Sequence, residues 1–280
     1  DARLHLFAPE NTHYLSGVPR EALQRLSKRS QPLLKITVDR TSTGDFRWCG
    51  APFPTQGAAQ AAHMSLSDYE DFVYGACHVD EEDPVAKWTA RREWQQAIAD
   101  YLEGKEHLSI TGENIDMTLS VKGRTFINDD GHFNMPGGEV FTGPVEESVE
   151  GWVRFTYPAI YQGNEVEDVE LTFEAGRVVK ARAARNDAFL QAVLDTDPGA
   201  RYLGEWAIGT NYGIDRFTRN ILFDEKIGGT LHMALGAGYP ETGNTNQSSV
   251  HWDMICDLRE GAEIRADGEL FYKGGEFLID

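Results

Sequence analysis

The hydrophobic pattern of this chain changes period near residue 105, and the change limits the folds open to it. The clearest signal before that point is a helix. Asp83 is a suitable N-cap, Pro84 suits the first helical position, and Gly104 is a natural stop. Apolar residues between them recur with roughly helical spacing, which predicts one helix over this stretch.

Beyond that helix the pattern is typical of strands. Met117, Leu119 and Val121 alternate with polar residues, and a hairpin is predicted over 166–183. A short helix with Asp187 as its cap candidate interrupts the series. Strand-like runs then continue to the end of the chain.

These patterns predict an α+β fold with two domains. Residues 1–105 are expected to form a partial N-terminal α/β domain, and residues 106–280 a β-rich C-terminal domain. The chain opens directly in a strand-like run, from Leu4 to Ala8, without an initiator methionine. We therefore expect the opening part of the N-terminal domain to be absent from this sequence.

The net charge argues against nucleic acid as a partner. The 45 acidic residues outnumber the 26 basic ones and give a formal charge of −19, whereas phosphate binding needs a basic surface. An acidic chain attracts cationic ligands, including peptides with a free amino terminus, although solubility is the commoner reason for such a charge.

Cysteine usage and hydropathy bear on the compartment. Cys49, Cys77 and Cys256 form no C-x-x-C pair, so neither a disulfide framework nor a thiolate zinc site is indicated. This usage fits a reducing compartment, and we expect a cytoplasmic protein. The sequence has no run of 18 apolar residues, so no membrane partner is expected.

The segment 249–257 carries polar side chains on one strand face. His251 and Asp253 are two residues apart, so they point the same way with about 7 Å between their Cα atoms. That spacing suits ligands of neighbouring metal ions. The alternative is the solvent face of an ordinary edge strand, which is favoured for so short a pattern taken alone.

Two glutamates also need an explanation. Glu205 stands inside the apolar run 202–209, where a bare carboxylate is costly to bury, so a metal ion or a salt bridge to a distant residue is expected. Glu139 is the first polar residue after a glycine-rich turn at 136–138. Taken alone, Glu139 is better explained as a surface carboxylate.

A histidine with two polar neighbours completes the set of candidates. His232 lies in the apolar run 229–236, where a lone histidine is more often a hydrogen-bonded core residue than a ligand. Glu225 precedes it by seven residues and Tyr239 follows it by seven, while Lys226 is expected to pair with Asp224 or Glu225 on the surface. No G-x-S-x-G, H-E-x-x-H or P-loop motif competes with this set.

Four motifs occur in the order found in one known family, and the similarity extends over the whole chain. They are Asn134-Met135-Pro136-Gly137-Gly138-Glu139-Val140-Phe141, Leu203-Gly204-Glu205, Asp224-Glu225-Lys226 with Gly228-Gly229-Thr230 and His232, and His251-Trp252-Asp253. The chain resembles the aminopeptidase T/aminopeptidase S family of dinuclear metallo-aminopeptidases. Members of that family extend upstream of the residue that matches Asp1.

This resemblance implies a metal site in the β-rich domain and a set of partners. The metal-binding residues it implies are Glu139, Glu205, Glu225, His232, His251 and Asp253. Tyr239 matches a tyrosine beside the metals. The resemblance further implies two divalent cations, among zinc, cobalt, manganese and magnesium, a homodimer, and peptide substrates with a free N-terminus.

We therefore expect a metal-dependent aminopeptidase with Glu205, Glu225 and Tyr239 as catalytic residues. Glu205 is expected to bridge two cations about 3.5–4 Å apart that activate a water molecule. Glu225 is expected to carry a proton to the leaving amine, and Tyr239 to donate a hydrogen bond to the developing oxyanion. The alternatives are another metal-dependent amidohydrolase or dipeptidase, and a non-catalytic acidic binding protein.

Overall fold

The computed structural model describes residues 1–15 and 43–279 without a gap, and between them only positions 17, 18, 22, 25, 29, 33, 36, 37, 40 and 41. The helices with defined bounds are α1 (Gln56–Ala61), α2 (Leu66–Ala76), α3 (Pro84–Leu102), α4 (Asp187–Leu194) and α5 (Ile221–Asp224). The strands are β1 (Ala2–Phe7), β2 (Arg47–Pro52), β3 (His107–Gly112), β4 (Ile115–Ser120), β5 (Ile127–Asp129), β6 (Glu139–Thr142), β7 (Glu150–Arg154), β8 (Ala159–Tyr161), β9 (Asn164–Val166), β10 (Glu170–Glu174), β11 (Arg177–Arg182), β12 (Leu203–Gly209), β13 (Thr230–Gly236), β14 (His251–Asp257), β15 (Glu263–Ala266), β16 (Glu269–Lys273) and β17 (Glu276–Phe277). Across the described ranges, each helix is too short or too polar to cross a membrane.

The strongest local predictions are confirmed. Asp83 Oδ1 accepts a hydrogen bond of 2.9 Å from Ala86 N and so caps α3. The hairpin predicted over 166–183 is formed by β10 and β11, and both residues of its turn, Ala175 and Gly176, have positive φ. The short helix predicted near Asp187 is α4, but its N-cap is Asn186, and the cap candidate Asp187 is its first helical residue.

Two antiparallel sheets make up most of the β-rich part. The larger has eight strands in the order β11-β10-β7-β4-β3-β15-β16-β17, and the smaller has five in the order β14-β13-β12-β6-β5. Side chains from both sheets share one hydrophobic cluster, with Ile110 and Ile264 from the larger and Trp206 and Met233 from the smaller. Burial of each such side chain contributes about 1.5–3 kcal/mol.

The predicted α+β class is confirmed by this mixture of helices and antiparallel sheets. The boundary at 105/106 stays a prediction, and it falls in the turn between α3 and β3. α3 is joined to the smaller sheet by Gln95, whose Nε2 donates to Asp129 O (3.0 Å) and to Asn128 Oδ1 (2.7 Å).

The helix α5 packs against α2. Tyr69 and Phe72 of α2 share a second buried cluster with Phe223 of α5, and the rings of Phe72 and Phe223 lie 5.1 Å apart. At the start of α5, Asn220 Oδ1 accepts from Leu222 N at 3.2 Å. This packing fixes the end of α5, where the chain continues into Glu225.

Candidate metal centre

The predicted ligands meet on one face of the five-stranded sheet. They come from four different strands, β6, β12, β13 and β14, or from the segment after α5. The strand register sets Glu205 opposite Ala234, which is itself opposite Asp253. His232 is opposite Ala207 on one side and Ile255 on the other, and Glu139 is opposite Gly209 and Asp129. The register thus gathers the candidate ligands on one face, with the small Ala234 between Glu205 and Asp253.

A glycine turn brings Glu139 to this face. A Cβ on Gly138, whose φ is +133°, would lie 2.5 Å from Asn211 Cβ, and one on Gly137 would lie 2.3 Å from Gly131 N. Gly138 N donates to Asp129 O at 2.8 Å. Only glycine permits this close approach, and β6 therefore starts with its carboxylate directed into the centre. Glu139 is 6% exposed, so its interpretation as a surface carboxylate is wrong.

Glu205 lies between two sets of potential ligands. Its Oε1 is 3.6 Å from His232 Nε2, and its Oε2 is 3.3 Å from His251 Nε2. Ligand atoms of Glu139, Glu205 and His232 lie within 4.8 Å of one another, and so do those of Glu205, His251 and Asp253. The two groups share only Glu205, which presents a different oxygen to each histidine.

Several of these atoms are buried without a hydrogen bond. His232 Nε2 lies 3.1 Å from Glu139 Oε2, yet among the described residues neither atom has a partner with acceptable hydrogen-bond geometry. Asp253 Oδ1 is also buried and, among the described residues, has no hydrogen-bond partner. A buried polar atom left unsatisfied costs about 1–3 kcal/mol. Donor atoms that converge without bonding to one another fit a divalent cation, for which mixed carboxylate and imidazole ligands are suitable.

The ring of His251 is oriented by a backbone carbonyl. His251 Nδ1 lies 2.8 Å from Ala237 O, and because a carbonyl can only accept, Nδ1 donates. In the neutral ring Nε2 then carries the lone pair, and Nε2 faces Glu205 and Asp253 (3.5 Å). A second hydrogen bond of this kind is usual for histidines that bind metals.

The protonation of the two rings follows from their carboxylate neighbours. Burial lowers the pKa of His251, but Asp253 and Glu205 outweigh it and raise the pKa to about 11. His232 behaves alike: burial lowers its pKa, and Glu139 with Glu205 raises it well above the usual value. A histidine must be neutral to bind a metal, so ions and protons compete for both rings.

Glu225 and Tyr239 approach the centre from outside the sheet. Glu225 offers an oxygen within 4.8 Å of ligand atoms of His232 and Asp253, and burial raises its pKa to about 8. Tyr239 Oη lies 3.5 Å from His251 Nε2, and its ring packs against Phe141. Burial and then the Glu205 charge raise the pKa of Tyr239, so it stays a neutral hydroxyl donor.

Two members of the cluster were not predicted. Lys226 is fully buried, contacts Glu225, and lies 3.2 Å from Glu139 Oε1 and 3.5 Å from Asp129 Oδ2. Of the two predicted partners, Asp224 and Glu225, the lysine contacts Glu225. The predicted surface location is wrong, because Lys226 is fully buried among Glu225, Glu139 and Asp129. Asp129 sits at the end of β5 next to Glu139, and the only local signal for it was a carboxylate ending a short strand-like run.

Comparison with known proteins identifies the family. A model described as thermophilic metalloprotease (M29) matches residues 1–277. The chain belongs to this metalloprotease family. Aminopeptidase T from Thermus aquaticus is 30% identical over 291 residues, which cover 91% of this chain and 70% of that protein. Aminopeptidase AmpS from Bacillus subtilis is 31% identical over 206 residues, which cover 69% of this chain and 49% of that protein.

A solved structure gives the same result for the fold. Wild-type AmpT from Thermus thermophilus superimposes with a TM-score of 0.86 at 26% identity, over 99% of this chain and 76% of that one. The predicted family resemblance is confirmed. This M29 chain spans about half the length of the Bacillus relative and 70% of the Thermus aquaticus one.

Proposed function

We propose that this chain removes N-terminal residues from peptides with two divalent ions that share Glu205. One observation carries the proposal: the two oxygens of Glu205 face two separate groups of ligands, one with Glu139 and His232 and one with His251 and Asp253. A shared carboxylate is how two-metal hydrolytic sites hold their ions close together. The ligand set contains no thiolate, so zinc, cobalt, manganese and magnesium all suit it.

Bound ions of this kind supply a Lewis acid and an activated water. The chain's own residues supply the proton transfers and the hydrogen bonds. Glu225 lies beside His232 and Asp253, where its carboxylate would take a proton from a water activated at this site and pass it to the leaving amine. The Tyr239 hydroxyl lies beside His251, where it would donate a hydrogen bond to the oxyanion that forms on the substrate.

A cavity beside the centre is suited to a peptide. It has a volume of about 1020 Å³ and opens onto Asp253 and Ile255 of β14. Its walls include Phe7, Phe53 and Phe217. The apolar walls accommodate side chains, while the carboxylates at one end attract a free α-amine. Attraction of the amine to this end explains why cleavage is limited to the first residue.

Hydrolysis of leucine anilide by the metal-stripped chain, before and after addition of zinc, cobalt or manganese, tests the proposal. We expect activity only with metal, and none on the N-acetylated anilide. Equal cleavage of the acetylated compound would favour another amidohydrolase, because such an enzyme does not need the free amine. A chain that binds no stoichiometric metal would favour the acidic binding protein.

We also propose that the protein is a cytoplasmic homodimer. The dimer is supported by the family resemblance, and the compartment by three cysteines that are all free thiols. Light scattering on the purified chain checks the first part, with twice the mass of 31.3 kDa expected. Localisation of a tagged protein by cell fractionation checks the second.

A further inference from the structure

Lys226 is placed where a lysine is rarely found. Its side chain is fully buried, and a buried ammonium is costly unless charged partners surround it. Three carboxylates do so: Glu225 Oε1 in direct contact, Glu139 Oε1 at 3.2 Å and Asp129 Oδ2 at 3.5 Å. These three residues come from α5's end, β6 and β5, so the ammonium ties three separate parts of the centre together.

The lysine divides the two oxygens of Glu139 between different neighbours. Oε1 faces Lys226, while Oε2 faces His232 Nε2 and has no hydrogen bond among the described residues. Glu225 Oε1 contacts the same ammonium, and an oxygen of its carboxylate also approaches His232 and Asp253. In Glu139, therefore, one oxygen is held by the lysine and the other is available to an ion.

Charge balance agrees with this division. The described centre contains five carboxylates and one ammonium, from the residues Asp129, Glu139, Glu205, Glu225, Asp253 and Lys226. When all are ionised they leave four negative charges, which two divalent ions neutralise. The lysine thus supplies the positive charge beside Asp129.

We propose that Lys226 is the buried cation of the metal centre, a positioning residue that holds Glu139 Oε1 so that Oε2 points to the ions, and that keeps Glu225 beside the centre through its contact with that carboxylate. The inference rests on the proposed two-ion function. It goes beyond that function by assigning a task to a residue that touches neither substrate nor ion.

Zinc titration of the metal-stripped full chain, followed by calorimetry, tests this assignment. Lys226→Met removes the charge and keeps the aliphatic stem, and we expect zinc binding weaker by about 10- to 100-fold, as for other groups that orient metal ligands. Lys226→Gln keeps a donor and should recover part of the loss. Lys105→Met is the matched control, because it breaks another lysine–carboxylate pair, Lys105 Nζ–Glu269 Oε2 at 2.7 Å, away from the centre.

The outcomes separate the two proposals. Zinc binding by Lys226→Met that equals or exceeds that of the wild type would overturn the positioning role, because a lysine that only repels ions would give tighter binding when removed. Failure of the wild-type chain to bind zinc, cobalt, manganese and magnesium would overturn the two-ion function as well. A drop in affinity with Lys105→Met as large as with Lys226→Met would also count against the proposal.

A crystal structure of the zinc-loaded wild-type chain tests the same point if the variants do not fold. We expect Lys226 Nζ within hydrogen-bond distance of Glu139 Oε1, and zinc on Oε2. Zinc bound to Glu139 Oε1 or to Nζ would overturn the inference while leaving the proposed function intact.

Discussion

Glu205 and Trp206 are neighbours in β12 and are almost equally buried, at 4% and 0% exposed, yet they lie on opposite faces of the five-stranded sheet. Trp206 joins the apolar cluster shared with the eight-stranded sheet. Glu205 faces His232 and His251. Low exposure therefore does not distinguish a core residue from a site residue in this protein. The residues that each side chain contacts make that distinction.

The residues opposite one another across the strands show how the two faces differ. On the core face, large side chains such as Trp206 and Met233 are paired directly. On the site face, Glu205 and Asp253 are both opposite the small Ala234. The core face is stabilised by burial of apolar area, whereas the site face depends on cations to offset its buried carboxylates.

The largest expected effect is on the site face. Glu205→Gln should lower kcat with leucine anilide by about 10³-fold or more, because loss of a shared ligand removes several kcal/mol of transition-state stabilisation. The unfolding temperature of the metal-free variant should stay within a few degrees of wild type. Glu113→Gln, at an exposed position, serves as the control. Wild-type turnover in Glu205→Gln would refute the bridging role.

The adjacent substitution on the core face should act in the opposite way. Trp206→Ala is expected to lower the free energy of unfolding by about 3–5 kcal/mol, because it leaves a cavity in the apolar cluster. Turnover per folded molecule should change much less than in Glu205→Gln. Urea denaturation and active-site titration measure the two quantities. If Trp206→Ala lost activity while remaining fully stable, the separation of the two faces would be wrong.

Metal addition should stabilise the protein through the site face alone. Zinc at 100 times its Kd is expected to raise the free energy of unfolding by about 2.7 kcal/mol, since it binds only the folded chain. Trp206→Ala should keep this increment, and Glu205→Gln should lose most of it. Thermal melts at several zinc concentrations measure the increment. An equal gain in Glu205→Gln would place the binding elsewhere.

The smallest expected effect is on the pH dependence of stability, and it is due to His78, which lies on neither face of the five-stranded sheet. Burial and then Arg91, whose Nη2 lies 3.0 Å from His78 Nε2, lower the pKa of His78. The unfolded chain therefore takes up this proton at a higher pH than the folded chain. The stability due to neutral His78 is present above the ordinary histidine pKa, near 6.5, and is lost as pH falls below it.

Replacement of His78 should therefore flatten the acid side of the stability profile. In His78→Gln we expect a smaller loss of stability between pH 7 and pH 5 than in wild type, by less than about 1 kcal/mol. Urea midpoints at each pH, measured on metal-free protein, provide the comparison. A steeper profile in His78→Gln would show that the sign is wrong.

Much of the local structure could be predicted because its causes are local. The N-cap at Asp83 and the glycine turn before Glu139 depend on residues close in sequence, and both are present in the structure. The two-residue alternation of a strand also put His251 and Asp253 on one face, and ligand atoms of both lie within 4.8 Å of each other. The full set of candidate ligands is implied by the family resemblance, and the roles of its members stay predictions.

The sequence by itself determined the α+β class, the alternation within each strand and the identity of the polar residues that interrupt apolar runs. Only the tertiary structure decided which of these residues meet. Strand register joins Glu205 to Ala234 and Asp253, and the packing of α5 buries Lys226 against Glu139 and Asp129. The physical reason is range: alternation and capping act over a few residues, whereas the charge that stabilises a buried lysine comes from strands far away in the chain.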